Sequence, residues 1–288
     1  MTHAAHARYE AAGAGPGRLA AELRAARMVW RRELLHFVRD RTGTLVALLQ
    51  PLLFLFVLGV GLGRLLAGAG GGSARDYLTF LFPGVLVMAA QPAAISVGAS
   101  IVWDRESGFL REMLVAPVRR GTLLAGKCLG GATVATCQGA VVLAGAGLIH
   151  IPYDPVLFAL LLGELALTAL AMTVLGAVVA VVIRRARTFT TVLSVLMTPL
   201  IFLSGLMFPV AAMPAWMSWL TPADPLTYAV DAMRRTVTAY RPSRGTSALF
   251  EPVAWAGLRP SPVIELAVVA AFTAVALTIA ARRFARTG

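Results

Sequence analysis

The eight residues Gly121-Thr122-Leu123-Leu124-Ala125-Gly126-Lys127-Cys128 come within one position of a phosphate-binding loop. Such a loop needs Ser or Thr after its Lys to hold Mg²⁺ and a buried strand before it. Here Cys128 takes the hydroxyl's place and the flanking residues are apolar, so nucleotide binding at this stretch is not expected. Other chemistry is sparse. His3, His6, His36 and His150 have no second ligand at i+3 or i+4, which leaves no metal pair. Cys128 and Cys137 share one apolar stretch at a spacing that fits packing rather than a metal or a disulfide framework. Glu164 and Glu265 are the acids of the long apolar blocks, but no helical spacing makes them a dyad, and the paired sets of membrane enzymes are missing. A buried acid in lipid is costly unless it faces protein or water. Glu164, deep in its block, is therefore read as an interhelical hydrogen-bonding group, with contact to a substrate or proton as the alternative. Glu265 sits near the end of its block, where it is expected to reach the interface.

The elements that position these residues are membrane spans. Of 288 residues, 58% are hydrophobic and 14% charged, against about 25% charged in a soluble domain. The apolar residues run in unbroken blocks long enough to cross about 30 Å of hydrocarbon, which takes about 20 residues. Six spans are predicted at 45–66, 77–103, 122–149, 155–183, 188–206 and 261–281, an all-α integral membrane fold. Gln50 and Gln91 join Glu164 as their polar members. The first block begins behind a charged arm, so no short cleavable signal peptide is expected.

Lys and Arg fall unevenly about these spans. Nineteen lie in the N-terminal arm, the second and fourth loops and the tail, with Lys127 at the span edge counted to the second loop, and seven lie in the remaining loops, with Arg64 counted to the first. Cytoplasmic loops accumulate such residues, so both termini are expected in the cytoplasm. The net charge of +12 does not indicate a nucleic-acid binder, because six lipid-facing helices leave no room for a basic face.

Residues 1–17, Ala- and Gly-rich without apolar period, are expected to be disordered. Over 18–41, Leu19, Leu23, Ala26, Trp30, Leu34 and Phe37 recur at helical spacing, with Arg24, Arg27, Arg31 and Arg32 mostly elsewhere on the turn. This pattern predicts an amphipathic helix lying in the membrane interface, or else packed on a partner protein. The most charged short stretch, 104–120, follows the second span. After the fifth span the chain is expected to turn back at Phe208-Pro209, and 207–260 reads as an outer re-entrant region with Trp216 and Trp219 at the interface and a short helix from Pro225 to Val237.

Two motifs carry a resemblance. Asp104-Arg105-Glu106-Ser107-Gly108-Phe109-Leu110-Arg111-Glu112-Met113-Leu114-Val115-Ala116-Pro117 resembles the cytoplasmic signature of type-2 ABC exporter permeases, the family of daunorubicin-type drug efflux and polysaccharide export. Ser204, Gly205, Phe208, Pro209, Pro214, Asp224, Pro225, Tyr228, Asp231 and Arg234 are similar to the outer re-entrant region of the same family, which often has Asn where this chain has Asp224. The resemblance covers about Arg18 to Arg286 and implies a transport subunit without its own ATPase. ATP and Mg²⁺ would be bound by a separate ABC ATPase, present in two copies, and the chain itself would need no cofactor. It implies a pair of permeases, a homodimer or a heterodimer, in the plasma membrane, with a path lined by the first, second and fifth spans. The loop 104–120 would be a coupling helix docked on the ATPase, its charges setting register and Phe109, Met113 and Leu114 anchoring it. The re-entrant segment would form an outer gate.

Two other classes compete. A gradient-driven secondary transporter calls for internal repeats, broken helices at midplane and several intramembrane charges, of which Glu164 alone lies deep. A membrane-embedded enzyme calls for a catalytic set that the sequence does not show.

Overall fold

The computed structural model describes residues 16–68, 73–108, 119–240, 250, 253 and 260–286. They form helices α1 (Pro16–Arg39), α2 (Arg41–Gly68), α3 (Ala74–Glu106), α4 (Arg120–Ala144), α5 (Pro155–Val182), α6 (Ala186–Leu203), α7 (Pro225–Tyr240) and α8 (Pro262–Arg286). Among the described residues, α2 to α6 and α8 contain six segments long and apolar enough to cross a membrane. Of the arm expected to be disordered, residues 1–15 lie outside the described residues, and helix α1 already begins at Pro16.

Local chemistry sets several boundaries. Ser73 and Asp76 form a capping box at the start of α3: Ser73 Oγ accepts from the Asp76 amide at 3.2 Å, and the Asp76 carboxylate accepts from the Ser73 amide at 3.1 Å. At α5, Asp154 Oδ1 accepts from the Val156 and Leu157 amides at 2.8 and 3.0 Å, and Pro155 supplies a first residue that has no N–H to leave unpaired. The third span was expected to run to 149. Instead α4 stops at Ala144 and a 3₁₀ turn covers Ala146–Ile149. The Tyr153 hydroxyl explains the stop, since it donates to the Ala144 carbonyl at 2.8 Å and accepts from the Gly147 amide at 3.2 Å.

Helices α3, α4 and α5 form the centre, each with 61% of its spanning window buried, against 17–28% for α2, α6 and α8. The central three pack against one another, with Phe80, Leu86, Leu124, Leu143, Leu157 and Leu165 fully enclosed. The outer three keep broad apolar faces, including Leu45, Leu49 and Leu53 of α2 and Val192 and Val195 of α6.

Helix α1 runs along α4 of the same chain. A Cβ on Gly126 would sit 3.0 Å from the Ala26 carbonyl oxygen, and one on Gly130 2.8 Å from Glu33 Cγ. These two glycines, four apart, make a flat face that lets the helix backbones approach closely. Trp30 Nε1 then donates to Thr133 Oγ1 at 3.1 Å, while Leu23 stays exposed. Replacing Gly126 by Leu overpacks this face at a cost of about 1–3 kcal/mol. The expected outcome is faster tryptic cleavage at Arg24, Arg27 and Arg31 than in wild type, with Gly163→Leu as the unchanged control, because Gly163 faces open space.

Candidate coupling and gating sites

Helix α3 ends in three consecutive charges, each answered on a different element. Asp104 bonds to the ammonium of Lys127, which is 4% exposed and also donates to Ser100 Oγ at 3.2 Å, and Arg32 of α1 stands 3.9 Å from the same carboxylate. Arg105 reaches the Ala180 and Ile183 carbonyls at 3.4 Å each, at the C-terminus of α5. Glu106 Oε1 accepts from the Ala186 amide at 3.0 Å, at the N-terminus of α6. A cation on carbonyls at one helix end and a carboxylate on an N–H at the next answer groups that the helices leave unpaired, each with the sign its dipole favours. Gly108 then takes φ 78°, a conformation that suits a residue without Cβ.

The far end of the 104–120 segment is fixed separately. Arg119 Nε lies 3.3 Å from Glu22 of α1, and the other oxygen of Glu22 accepts from Thr122 Oγ1 at 3.2 Å. Both ends of the segment are therefore tied to the helix bundle, with α1 contributing to each. Phe109, Leu110, Arg111, Glu112, Met113, Leu114 and Pro117 lie outside the described residues. The charges expected to set register on a partner, Asp104, Arg105 and Glu106, are engaged within the chain. The near-match to a phosphate loop forms the opening turns of α4, and its Lys127 is held by Asp104.

On the opposite face the chain leaves α6 at Ser204 and turns at Gly205, φ 69°. The Gly205 carbonyl accepts from Arg234 Nη2 at 2.8 Å, and the Arg234 guanidinium lies 3.9 Å above the Phe80 ring. Burial lowers Arg234 to about 10, opposed by the Asp231 carboxylate, so it stays cationic at neutral pH. Residues 210–212, 215–218 and 221–223 form single turns, each followed within four residues by a proline, Pro214, Pro222 or Pro225, that cannot continue it. Phe208, Trp216 and Trp219 are exposed. Asp224 and Pro225 then open α7, with Asp224 Oδ1 accepting from the Leu226 amide at 2.9 Å. Tyr228 Oη donates to the Pro222 carbonyl at 2.6 Å, which pins the turns to the helix.

Helix α7 is amphipathic within the protein. Its Thr236 hydroxyl donates to Glu164 Oε1 at 2.6 Å, the interhelical hydrogen bond expected of that acid. Glu265 corrects its expectation: it is 0% exposed and lies 3.0 Å from Arg235 Nη2, which also meets Asp231 at 2.9 Å. Being in the first turn of α8, it faces α7 rather than the interface. Gln50 is exposed on α2, whereas Gln91 lines a cavity of about 190 Å³ between α3 and α6 with Thr190 and Ser194. Sequence reasoning missed Lys127, Arg235 and Thr236. Arg235 was accessible through its i,i+4 relation to Asp231, whereas the local pattern that contains Lys127, the near-match to a phosphate loop, says nothing of its partner Asp104.

The comparisons with known proteins join these two faces. The family model described as ABC-2 type transporter matches residues 24–237, from α1 through α7. The chain belongs to that family. Nodulation protein J of Rhizobium leguminosarum bv. trifolii is 31% identical over 210 residues, 72% of this chain and 78% of that one. Nodulation protein J of Neorhizobium galegae is 29% identical over 210 residues, with the same coverage. The inner membrane transport permease YadH of Escherichia coli K12 is 25% identical over 212 residues, 73% and 81% of the two chains. The protein is thus a multi-span ABC-2 transport permease, and its family implies an ABC ATPase partner.

Asp224 gives this permease a pH-sensitive corner. Burial pushes its carboxyl up to about 7, against the lowering effect of the Leu226 amide and the Thr227 hydroxyl. Between about pH 4, where the free carboxyl titrates, and about 7, the folded chain holds a proton that the unfolded chain has released. This contribution to stability therefore falls as pH rises through that window. Asp224→Asn keeps the acceptor for the Leu226 amide and removes the titration. Unfolding midpoints followed from pH 4 to 7 are expected to show wild type losing on the order of a few kcal/mol relative to the variant as pH rises.

Proposed function

We propose that this permease forms the translocation path of an exporter energised by two copies of a separate ABC ATPase. The observation that carries this reading is the double anchoring of the 104–120 segment: Asp104, Arg105 and Glu106 tie its start to α4, α5 and α6, and Arg119 ties its end to α1. A push on that segment is delivered to four elements at once. Phe109, Met113 and Leu114 of that segment supply the apolar anchor for the ATPase. ATP and Mg²⁺ are held there, and this chain needs no cofactor or catalytic group of its own.

Two permeases, in this reading a homodimer, complete the path. Helices α2 and α6, the least buried of the spans, face the second copy, and α3 contributes Gln91 to the lining. The outer turns 207–223 and helix α7 form the gate. The cargo is hydrophobic or amphipathic, of the kind of a drug, a lipid or a lipid-linked glycan, since Leu, Val and Phe dominate the exposed face of α2, and Val192, Val195 and Phe202 share that of α6 with Thr and Ser. Both termini lie in the cytoplasm and the host bilayer is the plasma membrane, which the positive-inside count supports. The name of the YadH relative, an inner membrane permease, supports the same placement. The gradient-driven alternative would draw on Glu164, Asp231 and Glu265, but each of these is engaged by Thr236 or Arg235.

The test is co-purification of the tagged full chain with the ABC ATPase encoded beside it, comparing wild type with the pair Phe109→Asp and Met113→Asp. Wild type is expected to retain the ATPase and alter its rate of ATP hydrolysis, and the variant to lose at least nine-tenths of the bound ATPase, since buried apolar anchors carry most of an interface's energy. An ATPase indifferent to both forms would instead favour gradient-driven transport.

A further inference from the structure

Four ionisable side chains meet where α5, α7 and α8 pack together. Glu265 of α8 is 0% exposed, Asp231 of α7 2% and Glu164 of α5 7%. Arg235 is the cation among them. Its Nη2 lies 2.9 Å from Asp231 Oδ2 and 3.0 Å from Glu265 Oε1, and its Nη1 donates to the Pro260 carbonyl at 2.6 Å. Arg234, the preceding residue of α7, is turned instead to the Gly205 carbonyl and the Phe80 ring. The other helices packed on α7 and α8 add no charge: α3 has no Asp, Glu, Lys or Arg from Tyr77 to Trp103, α4 none from Cys128 to Ala144, and α6 none after Arg187. Three carboxyls are thus gathered about one guanidinium.

The hydrogen bonds within the group require a proton. The Glu265 and Asp231 carboxyls lie within hydrogen-bond reach of one another. Two ionised carboxylates only accept, so a bond between them needs one of them protonated. Asp231 Oδ2 already receives Arg235 and, at 3.3 Å, the Val253 amide. Glu265, in contrast, has an enclosed oxygen, Oε2, that no donor reaches. A buried oxygen left this way is costly for a carboxylate and natural for a carboxylic acid, which donates rather than accepts. Glu265 is therefore the acid of the pair and Asp231 the acceptor. Full enclosure leaves no room for a larger ligand, and among the described residues no group of three or more His, Cys, Asp or Glu could hold a metal ion. A proton needs no room.

We propose that Glu265 and Asp231 form a proton-binding site, in which one proton resides on Glu265 and is donated to Asp231, fastening α8 to α7. Loss of that proton leaves two carboxylates side by side, with Glu164 close enough to add a third like charge, and a single guanidinium to answer them. Like charges so placed repel, and α7 loosens from α8. Neither carboxyl needs an ATPase to hold the proton, so the site stands apart from the exporter reading.

The test is reversible unfolding of the full chain in mixed micelles as a function of pH, in an Asp224→Asn background so that Asp224 does not titrate. From about pH 5 to 7, above the range where free carboxyls release their protons, the folded chain keeps a proton that the unfolded chain has lost. Stability due to the pair therefore falls as pH rises, and the unfolded-to-folded ratio is expected to rise about tenfold per pH unit relative to the same protein carrying Glu265→Gln. The Gln amide donates to Asp231 in the proton's place, which is why that variant serves as the flat reference. Adding Asp231→Asn instead is expected to remove the rise, and adding Glu164→Gln to keep it. A rise that survives Asp231→Asn, or one that Glu164→Gln removes, overturns the shared proton, as does no rise at all. Should a variant fail to fold, the infrared spectrum of the Asp224→Asn protein in ester-free detergent at neutral pH decides: the carbonyl band of a neutral carboxyl is expected, and its absence overturns the proposal. ATPase co-purification is unmoved by either result.

Discussion

At the end of α3 a run of three charged residues meets four other helices. A charge near the hydrocarbon boundary is tolerable only when it has a counter-group, and Asp104, Arg105 and Glu106 each find theirs on a different element. Lys127 and Arg32 face Asp104, the last carbonyls of α5 face Arg105, and the first amide of α6 faces Glu106. This node fixes where α1 sits and joins the ends of α5 and α6. Breaking one contact leaves a charge or a helix end unanswered, so the four helices are constrained to move as a set. That is the property a segment receiving force from outside the membrane requires.

The far end of α6 obeys the same constraint by different means. Helix α7 is not among the segments long and apolar enough to cross a membrane, and its charges are answered by protein groups. Arg234 is answered by a carbonyl and an aromatic face, Arg235 by two carboxylates and the Pro260 carbonyl, and Thr236 by Glu164. The turns leading into α7 are short and proline-broken, and they expose Trp216 and Trp219.

Much of this was legible in the sequence because lipid imposes simple rules. Unbroken apolar runs reported the six segments long and apolar enough to cross a membrane. Features that depend on tertiary partners were hidden. Glu265 looked interfacial because depth along a helix says nothing of which way the residue faces, and α7 covers it. Lys127 counted as one more basic loop residue, although Asp104, distant in sequence, draws it inside. The stripe Leu19 to Phe37 announced an amphipathic helix, but the glycines at 126 and 130 that receive it belong to another segment. The stop of α4 at Ala144 turned on the Tyr153 hydroxyl, nine residues on.

The node is tested most directly by a double-mutant cycle on Asp104→Leu and Lys127→Met, read as the free energy of reversible unfolding in mixed micelles. Asp104→Leu strands the buried Lys127 ammonium and is expected to cost about 3 kcal/mol, and Lys127→Met, which leaves Asp104 only the more distant Arg32, is expected to cost somewhat less. The double change, which removes both charges together, is expected to recover more than half of the summed loss, so the pair shows strong positive coupling. Losses that simply add, within about 0.5 kcal/mol, would contradict the account, because Asp104 and Lys127 would then not depend on one another.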